Sequence, residues 1–373
     1  MSIPALKTSR QYYAALTGLG QAKPAHSMAQ LETAELASSL NCQTDKHRRI
    51  LPILYKKTRV QRRASVLSPV KTKESIGFHD FYTAPDEKNA LGPGTAERML
   101  CYADEAPKLA YAASRGALED AKVTPDQITH LISVSCTGFK APGFDIELIK
   151  KIKLPSSVER THIGFMGCHG VFNAMRIAKS FAQNNANAKI LLCSVELCSL
   201  HFSYGWNPDQ IVANALFADG ASAAVIEAQS SAAMYNLQAT GSYLFNDSQD
   251  AMTWTISDHG FKMTLSSEVP HLIEQHLEAW VAGWLAKYDL KISDIQSWAV
   301  HPGGPRLLDS VQKALSLAPD DLQISRDILA KHGNMSSATI LYILEEFSKR
   351  KNPVPCVALG FGPGLVAEAF LIL

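Results

Sequence analysis

Apolar positions along this chain recur with two different periods, and the two alternate. Short continuous apolar runs occur at THLISVSC (129–136), KILLCSVEL (189–197) and SAAVIEA (222–228), as expected of strands buried on both faces. PCVALGFGPG (355–364) and SWAVHPGGP (297–305) are strands that run into Gly/Pro turns. Helical spacing fills the intervals: LETAELASSL (31–40), FDIELIKKI (144–152), EVPHLIEQHLEAWVAGWLAKY (268–288) and PRLLDSVQKALSL (305–317). ERMLCYADEAPKLAYAASRGALEDA (97–121) predicts a long helix bent at Pro107. NMSSATILYILEEFSKR (334–350) predicts a helix capped by Asn334. Strands alternating with helices predict an α/β fold with largely parallel sheets.

One internal echo divides the chain. ISVSCTGFKAPG and CVALGFGPG are both strand-to-loop units, placed alike in two halves. A duplicated α/β unit follows, with an N-terminal half at 1–230, a C-terminal half at 231–373 and a seam in QSSAAMYN (229–236).

Composition narrows the function classes. The 373 residues carry 36 basic and 35 acidic side chains, net +1, so no global field recruits nucleic acid or a membrane. The longest apolar stretch, VALGFGPGLVAEAFLIL, holds four glycines or prolines and Glu368, and reads as strand, turn and strand rather than a span. Seven scattered cysteines without a CxxC pair argue against a disulfide framework. With no apolar leader in MSIPALKTSRQYYAALTG, a cytoplasmic location is expected.

Three positions bear on chemistry. In GFMGCHGVFNAMRIAKSF (164–181), Cys168 sits between glycines at the start of a helical pattern. A helix N-terminus favours thiolate over thiol, so Cys168 reads equally as a nucleophile or as a small packing residue. His301 stands where a strand meets the turn of HPGGP, a usual ligand position in α/β sheets. Asn334 taken alone reads as a helix cap. Together they make a Cys/His/Asn set with no carboxylate among the motifs. Neutral His and Asn can stabilise an enolate or an oxyanion, which fits acyl transfer by condensation better than hydrolysis. His162, Cys168 and His169 have no zinc spacing, so no metal is expected. Cys193 and Cys198 read as core thiols, and Asp219 as support for a turn.

GFMGCHGVFNAMRIAKSF, ANALFADGASAAV, HPGGPRLLD, GNMSSATILYILEE and GFGPGL resemble the signature segments of type III polyketide synthases, the chalcone synthase family. The resemblance runs from about residue 14 to 373 and is closer to microbial members. It implies a thiolase-type fold: two similar α/β halves, layered αβαβα, in a homodimer. It assigns Cys168 as the acyl carrier, His301 as the group that keeps it thiolate, and Asn334 as partner of His301 in holding the malonyl enolate. Phe217 resembles a gatekeeper, and Ser336 a cavity residue beside the asparagine. Met263 stands where a second gatekeeper phenylalanine is usual. Trp254 replaces a cavity glycine, Cys136 and Thr137 replace Thr-Ser, and His201 stands near a third threonine. A flexible Met at the gate suits an alkyl chain.

The basic run YKKTRVQRR (55–63) offers Lys57, Arg59 and Arg62 for CoA phosphates, with Gly303 and Gly304 beside the arm, or else a solvated surface helix. GFGPG (360–364) reads as scaffold rather than a phosphate loop. The expected substrates are an acyl-CoA starter and malonyl-CoA, with no further cofactor and with an acyl carrier protein as an alternative donor. The expected reaction is iterative condensation of a fatty acyl starter to alkylpyrones or alkylresorcinols. An aromatic-starter chalcone or stilbene route and a single-round β-ketoacyl synthase are the alternatives. His169, directly after the cysteine, is a candidate to tune it.

Overall fold

The computed structural model describes residues 12–71, 76–78, 81–86, 90–231 and 235–373. Residues 232–234 of the seam stretch, and the first eleven of the chain, lie outside the described residues. In chain order the first elements are β1 (Tyr13–Ala22), β2 (His26–Ala29), α1 (Gln30–Asn41), α2 (Asp45–Lys57), β3 (Arg62–Ser65), β4 (Pro69–Lys71) and β5 (Ile76–Phe78). Next come α3 (Thr95–Ala121), β6 (His130–Ser135), α4 (Phe144–Ile152), β7 (Glu159–Gly164), α5 (Gly170–Asn184), β8 (Lys189–Leu197), α6 (Pro208–Leu216) and β9 (Asp219–Gln229). Then follow β10 (Leu237–Leu244), β11 (Met252–Ser257), β12 (Gly260–Leu265), α7 (Val269–Leu285), β13 (Ser297–Val300), α8 (Pro305–Ala314) and α9 (Gln323–His332). The chain closes with α10 (Thr339–Arg350), β14 (Cys356–Gly362) and β15 (Val366–Ile372).

Two sheets organise the molecule, one in the order β1-β9-β8-β6-β7 and one in the order β10-β15-β14-β13. They are mixed rather than largely parallel. β6 runs parallel to β7 and β8, and β13 to β14, whereas β8–β9, β1–β9, β14–β15 and β10–β15 are antiparallel. The β14–β15 pair is a hairpin, which a short Gly/Pro turn can close only antiparallel.

The strand pattern explains the layering. Successive side chains of a strand point to opposite faces. Leu131, Leu191 and Val225 enter a core with α3, while their neighbours Ile132, Leu192 and Ile226 enter a central core with α5 and α10. In the second sheet Ala358 and Phe370 join that same central core, while Val357 and Leu371 pack with α7 and α8 in a third. Each sheet is therefore covered on both faces, which is why its strands are apolar without alternation. The order α3, sheet, α5 with α10, sheet, α7 with α8 gives five layers.

Three expectations shift in detail. α3 runs unbroken through Pro107, which is buried inside it. The last helix begins at Thr339 rather than at Asn334, behind a single 3-10 turn at Ser336–Ala338. The basic run is split between the end of α2 and β3. No helix among the described residues is long and apolar enough to cross a membrane.

Candidate active site

Cys168 stands on a single 3-10 turn, Gly167–His169, that leads into α5. The chain arrives from β7 and reverses through Phe165 and Gly167, both left-handed at φ 59 and 74. Gly167 is required for a second reason: a Cβ there would lie 2.2 Å from Pro363 Cδ. The opposing loop GFGPG repeats the logic. A Cβ on Gly362 would lie 2.2 Å from His169 Cδ2, and one on Gly360 would lie 2.4 Å from Phe172. The loop's missing side chains thus admit His169 and Phe172, and the loop backs the cysteine turn as a scaffold. Cys136 pins the same turn, its Sγ accepting from the Gly167 amide at 2.9 Å.

Asn334 is fixed on three sides. Its N–H donates to Leu216 O and its carbonyl accepts from the Ala218 amide, both at 2.9 Å, bridging it to Phe217. Its Oδ1 accepts from the Ser336 amide at 2.8 Å, which leaves Nδ2 buried and without a protein partner. This bond spans only two residues and precedes the 3-10 turn; neither that turn nor α10 has a side-chain cap, so the helix cap expected of Asn334 does not form. His301 is held by its backbone amide on Leu359 O at 2.8 Å, is wholly buried, and has both ring nitrogens without a protein partner. Cys168 and Asn334 line a cavity of about 320 Å³ shared with Phe217, Met263 and Phe361.

Burial dominates the charge states. It pushes the Cys168 thiol up to about 12; the nearby Ser336 and Asn334 side chains oppose this, and Glu196 adds to it. Burial, with nearby His169, pushes His301 down to about 3. Each charged form is costly here, so burial favours the neutral thiol and the neutral imidazole.

A buried carboxylate does stand nearby, outside the motifs that the sequence singled out. Glu196, at the end of β8, is wholly buried and accepts from the Cys136 amide at 3.0 Å and from Thr137 Oγ1 at 2.8 Å, and also from Ser337 Oγ. Burial pushes its carboxyl up to about 7 against these bonds. The signal was a lone Glu in the apolar run KILLCSVEL, a residue type rarely buried without partners. Asp219 does support a turn, accepting from the Ser199 and Val66 amides at 2.7 and 2.8 Å.

Phe217 and Met263 also line a second cavity of only about 60 Å³. Its far wall is a ring cluster. Trp254 Nε1 donates to Cys136 O at 2.8 Å. His201 Nε2 donates to Thr137 O at 2.7 Å, its Nδ1 accepts from the Phe261 amide at 3.0 Å, and its ring stacks on Phe261 at 4.1 Å. Both nitrogens being used, His201 is neutral, and burial pushes it down to about 3. Cys198 borders this cavity, and Cys193 is a core thiol.

The cationic candidates separate. Lys57, Gly303 and Gly304 line the larger cavity. Arg59 lies 3.7 Å from Asp309, and Arg62 donates to Ser27 O at 2.9 Å, so neither faces it. Arg306, overlooked in the sequence, lines the cavity and is exposed at its mouth, in the first turn after HPGGP. No group of three potential metal ligands gathers among the described residues.

Comparison with known proteins agrees over the whole chain. Family models for the N-terminal and C-terminal domains of chalcone and stilbene synthases match residues 6–230 and 236–373. An α-pyrone synthesis polyketide synthase-like protein of Mycobacterium tuberculosis is 28% identical over 367 residues, covering 96% of this chain and 90% of that one. Polyketide synthase 37 of Dictyostelium discoideum is 29% identical over 339 residues, 87% of this chain, but the match spans only 11% of that much longer protein. The crystal structure of PKS-I from the brown alga Ectocarpus siliculosus superposes with a TM-score of 0.90 at 28% identity, covering 98% of this chain and 99% of that one.

Proposed function

This chain belongs to the chalcone and stilbene synthase family and is a type III polyketide synthase with a thiolase-like fold, and we propose that it condenses malonyl-CoA onto an alkyl acyl-CoA starter and closes a short product as a pyrone. Cys168 gives its proton to His301 and attacks the starter thioester. The carbon–sulfur bond to CoA breaks, and the CoA thiolate leaves with the proton from His301. Malonyl-CoA then loses CO2, and the enolate oxygen is held by N–H groups of His301 and Asn334 Nδ2. The enolate carbon attacks the acyl-Cys168 thioester, freeing the Cys168 thiolate and giving a β-ketoacyl-CoA that reloads. After the last extension an enol oxygen of the chain attacks its own thioester, releasing the CoA thiol and a lactone.

The observation that carries the finer reading is the small space beyond Phe217 and Met263. The Trp254–His201–Phe261 cluster leaves about 60 Å³ there. Pockets that enclose molecules of drug size, such as an aromatic tetraketide, run to roughly 300 Å³ or more. A short chain cyclised early fits, and an apolar alkyl starter suits a wall of Met252, Met263 and Leu265 in the larger cavity. The relative named for α-pyrone synthesis points the same way. The test supplies a panel of alkyl and aromatic acyl-CoA starters with malonyl-CoA and reads products by mass spectrometry. Alkyl pyrones from few extensions are expected. A chalcone-type tetraketide from aromatic starters as the main product would overturn the reading.

A further inference from the structure

Three residues line both cavities: Ala213, Phe217 and Met263. They form the wall between the space of about 320 Å³ that holds Cys168 and the space of about 60 Å³ beside it. Two of them belong to one element, since Ala213 lies on α6 and Phe217 is its C-cap. Met263 comes from β12, in the β11–β12 hairpin. The wall therefore depends on how β12 stands against α6. On the α6 side the anchorage is strong. Arg63, itself buried, donates to Phe217 O at 2.7 Å and also to Asn214 O, meeting carbonyls that a helix end leaves without partners. Leu216 O and the Ala218 amide, on either side of Phe217, pair with Asn334.

The β12 side is held by side chains. β11 and β12 form a two-stranded sheet of their own. Phe261 and Met263 stand two apart, so their main-chain groups emerge on the same edge of β12. His201 Nδ1 accepts from the Phe261 amide at 3.0 Å, and Gln210 Nε2 donates to the Met263 carbonyl. His201 belongs to the turn after β8, whereas Gln210 belongs to α6. Gln210 thus ties the main chain of Met263 to the helix that carries Phe217. Its side chain is not needed at the start of that helix. Asn207 caps α6 by accepting from the Asp209 and Gln210 amides at 3.0 and 3.2 Å. A glutamine at this third position commonly turns back toward the cap, yet Gln210 reaches across to β12, half-buried, and lines the smaller cavity.

We propose that Gln210 is a positioning residue that sets product length: its amide holds Met263 against α6, keeps the wall with Phe217 in place and so confines the growing chain. The inference rests on the iterative condensation and ring closure proposed above. With the bond removed, the edge of β12 is free to move off α6. The smaller space then opens into the larger one, and the chain on Cys168 gains room for a further extension before it cyclises.

The test measures the ratio of tetraketide to triketide products by mass spectrometry, from one alkyl acyl-CoA starter with malonyl-CoA. Melting temperature and the rate of CO2 release are followed alongside. Gln210→Leu keeps similar bulk but has no donor. Gln210→Glu keeps length and shape, and once ionised it offers only acceptors to the Met263 carbonyl. Both are expected to raise the ratio about fivefold, the weight of one hydrogen bond, with melting temperature and CO2 release close to native. Gln210→Glu carries the test if Gln210→Leu does not fold. A native ratio in the variants overturns the proposal, as does a uniform fall of all products or a shift to shorter ones, and Gln210 is then a residue of stability alone. The native chain on an aromatic starter separates the two readings. A chalcone-type tetraketide there would remove the alkylpyrone reading, while the tether is still judged by the variant-to-native ratio on the starter that the native chain accepts.

Discussion

At the scale of single residues, burial decides what the active-site groups are. The glycines beside Cys168 and the helix pattern after it are visible in the sequence, and they suggest a thiol kept ionised by a helix end. Burial works against that, because a desolvated thiol and a desolvated imidazole each disfavour charge. Glu196 shows the same rule with a testable consequence. Its carboxyl holds its proton up to about 7 in the fold, above the ordinary 4.5. The folded state then binds more protons across that window, so this group's contribution to stability is present at low pH and is lost as pH rises through it. Urea unfolding at a series of pH values should show Glu196→Gln gaining on the native chain between pH of about 4.5 and 8, by on the order of 3 kcal/mol. A constant difference across that range would show that the carboxyl ionises normally. Glu196 was legible only as an oddity in an apolar run; its hydrogen bonds come from residues some 59 to 141 positions away.

At the scale of elements, the apolar periods located most strands and helices, since a strand covered on both faces and a one-sided helix leave different patterns. They could not give strand direction, which depends on which elements become neighbours, and the sheets proved mixed. Nor could they show that the β11–β12 hairpin locks onto the loop after β6. Trp254 on β11 bonds to Cys136 O, and His201 joins the Phe261 amide to Thr137 O. This hairpin walls the smaller cavity beside Phe217. Trp254→Gly should open it and shift products to longer polyketides, with a stability loss of roughly 3–5 kcal/mol from the lost packing. Product profiling by mass spectrometry together with thermal melting checks both, and an unchanged chain length would detach Trp254 from product size.

At the scale of the whole molecule, the site exists because the two sheets share one central core. Cys168 precedes α5, whereas His301 follows β13 and Asn334 precedes the turn into α10, so the first comes from one sheet's side of that core and the others from the second half of the chain. The mouth is assembled in the same way, with Lys57 from α2 and Arg306 from α8 lining one cavity. With a net charge of only +1, attraction for CoA phosphates has to be local. Arg306→Glu is expected to raise KM for CoA thioesters about tenfold while kcat holds, and added salt should shrink the difference. Equal KM values at low salt would place the phosphates elsewhere. The sequence by itself determined the α/β class and most element positions, and it singled out Cys168, His301 and Asn334, because periodicity and turn chemistry are local properties of the chain. The tertiary structure alone decided which cations face the cavity, how much room lies beside Phe217 and Met263, and that a buried carboxylate and His169 stand near Cys168. Those depend on which distant segments come within a few ångströms of one another, and on the desolvation that this contact imposes.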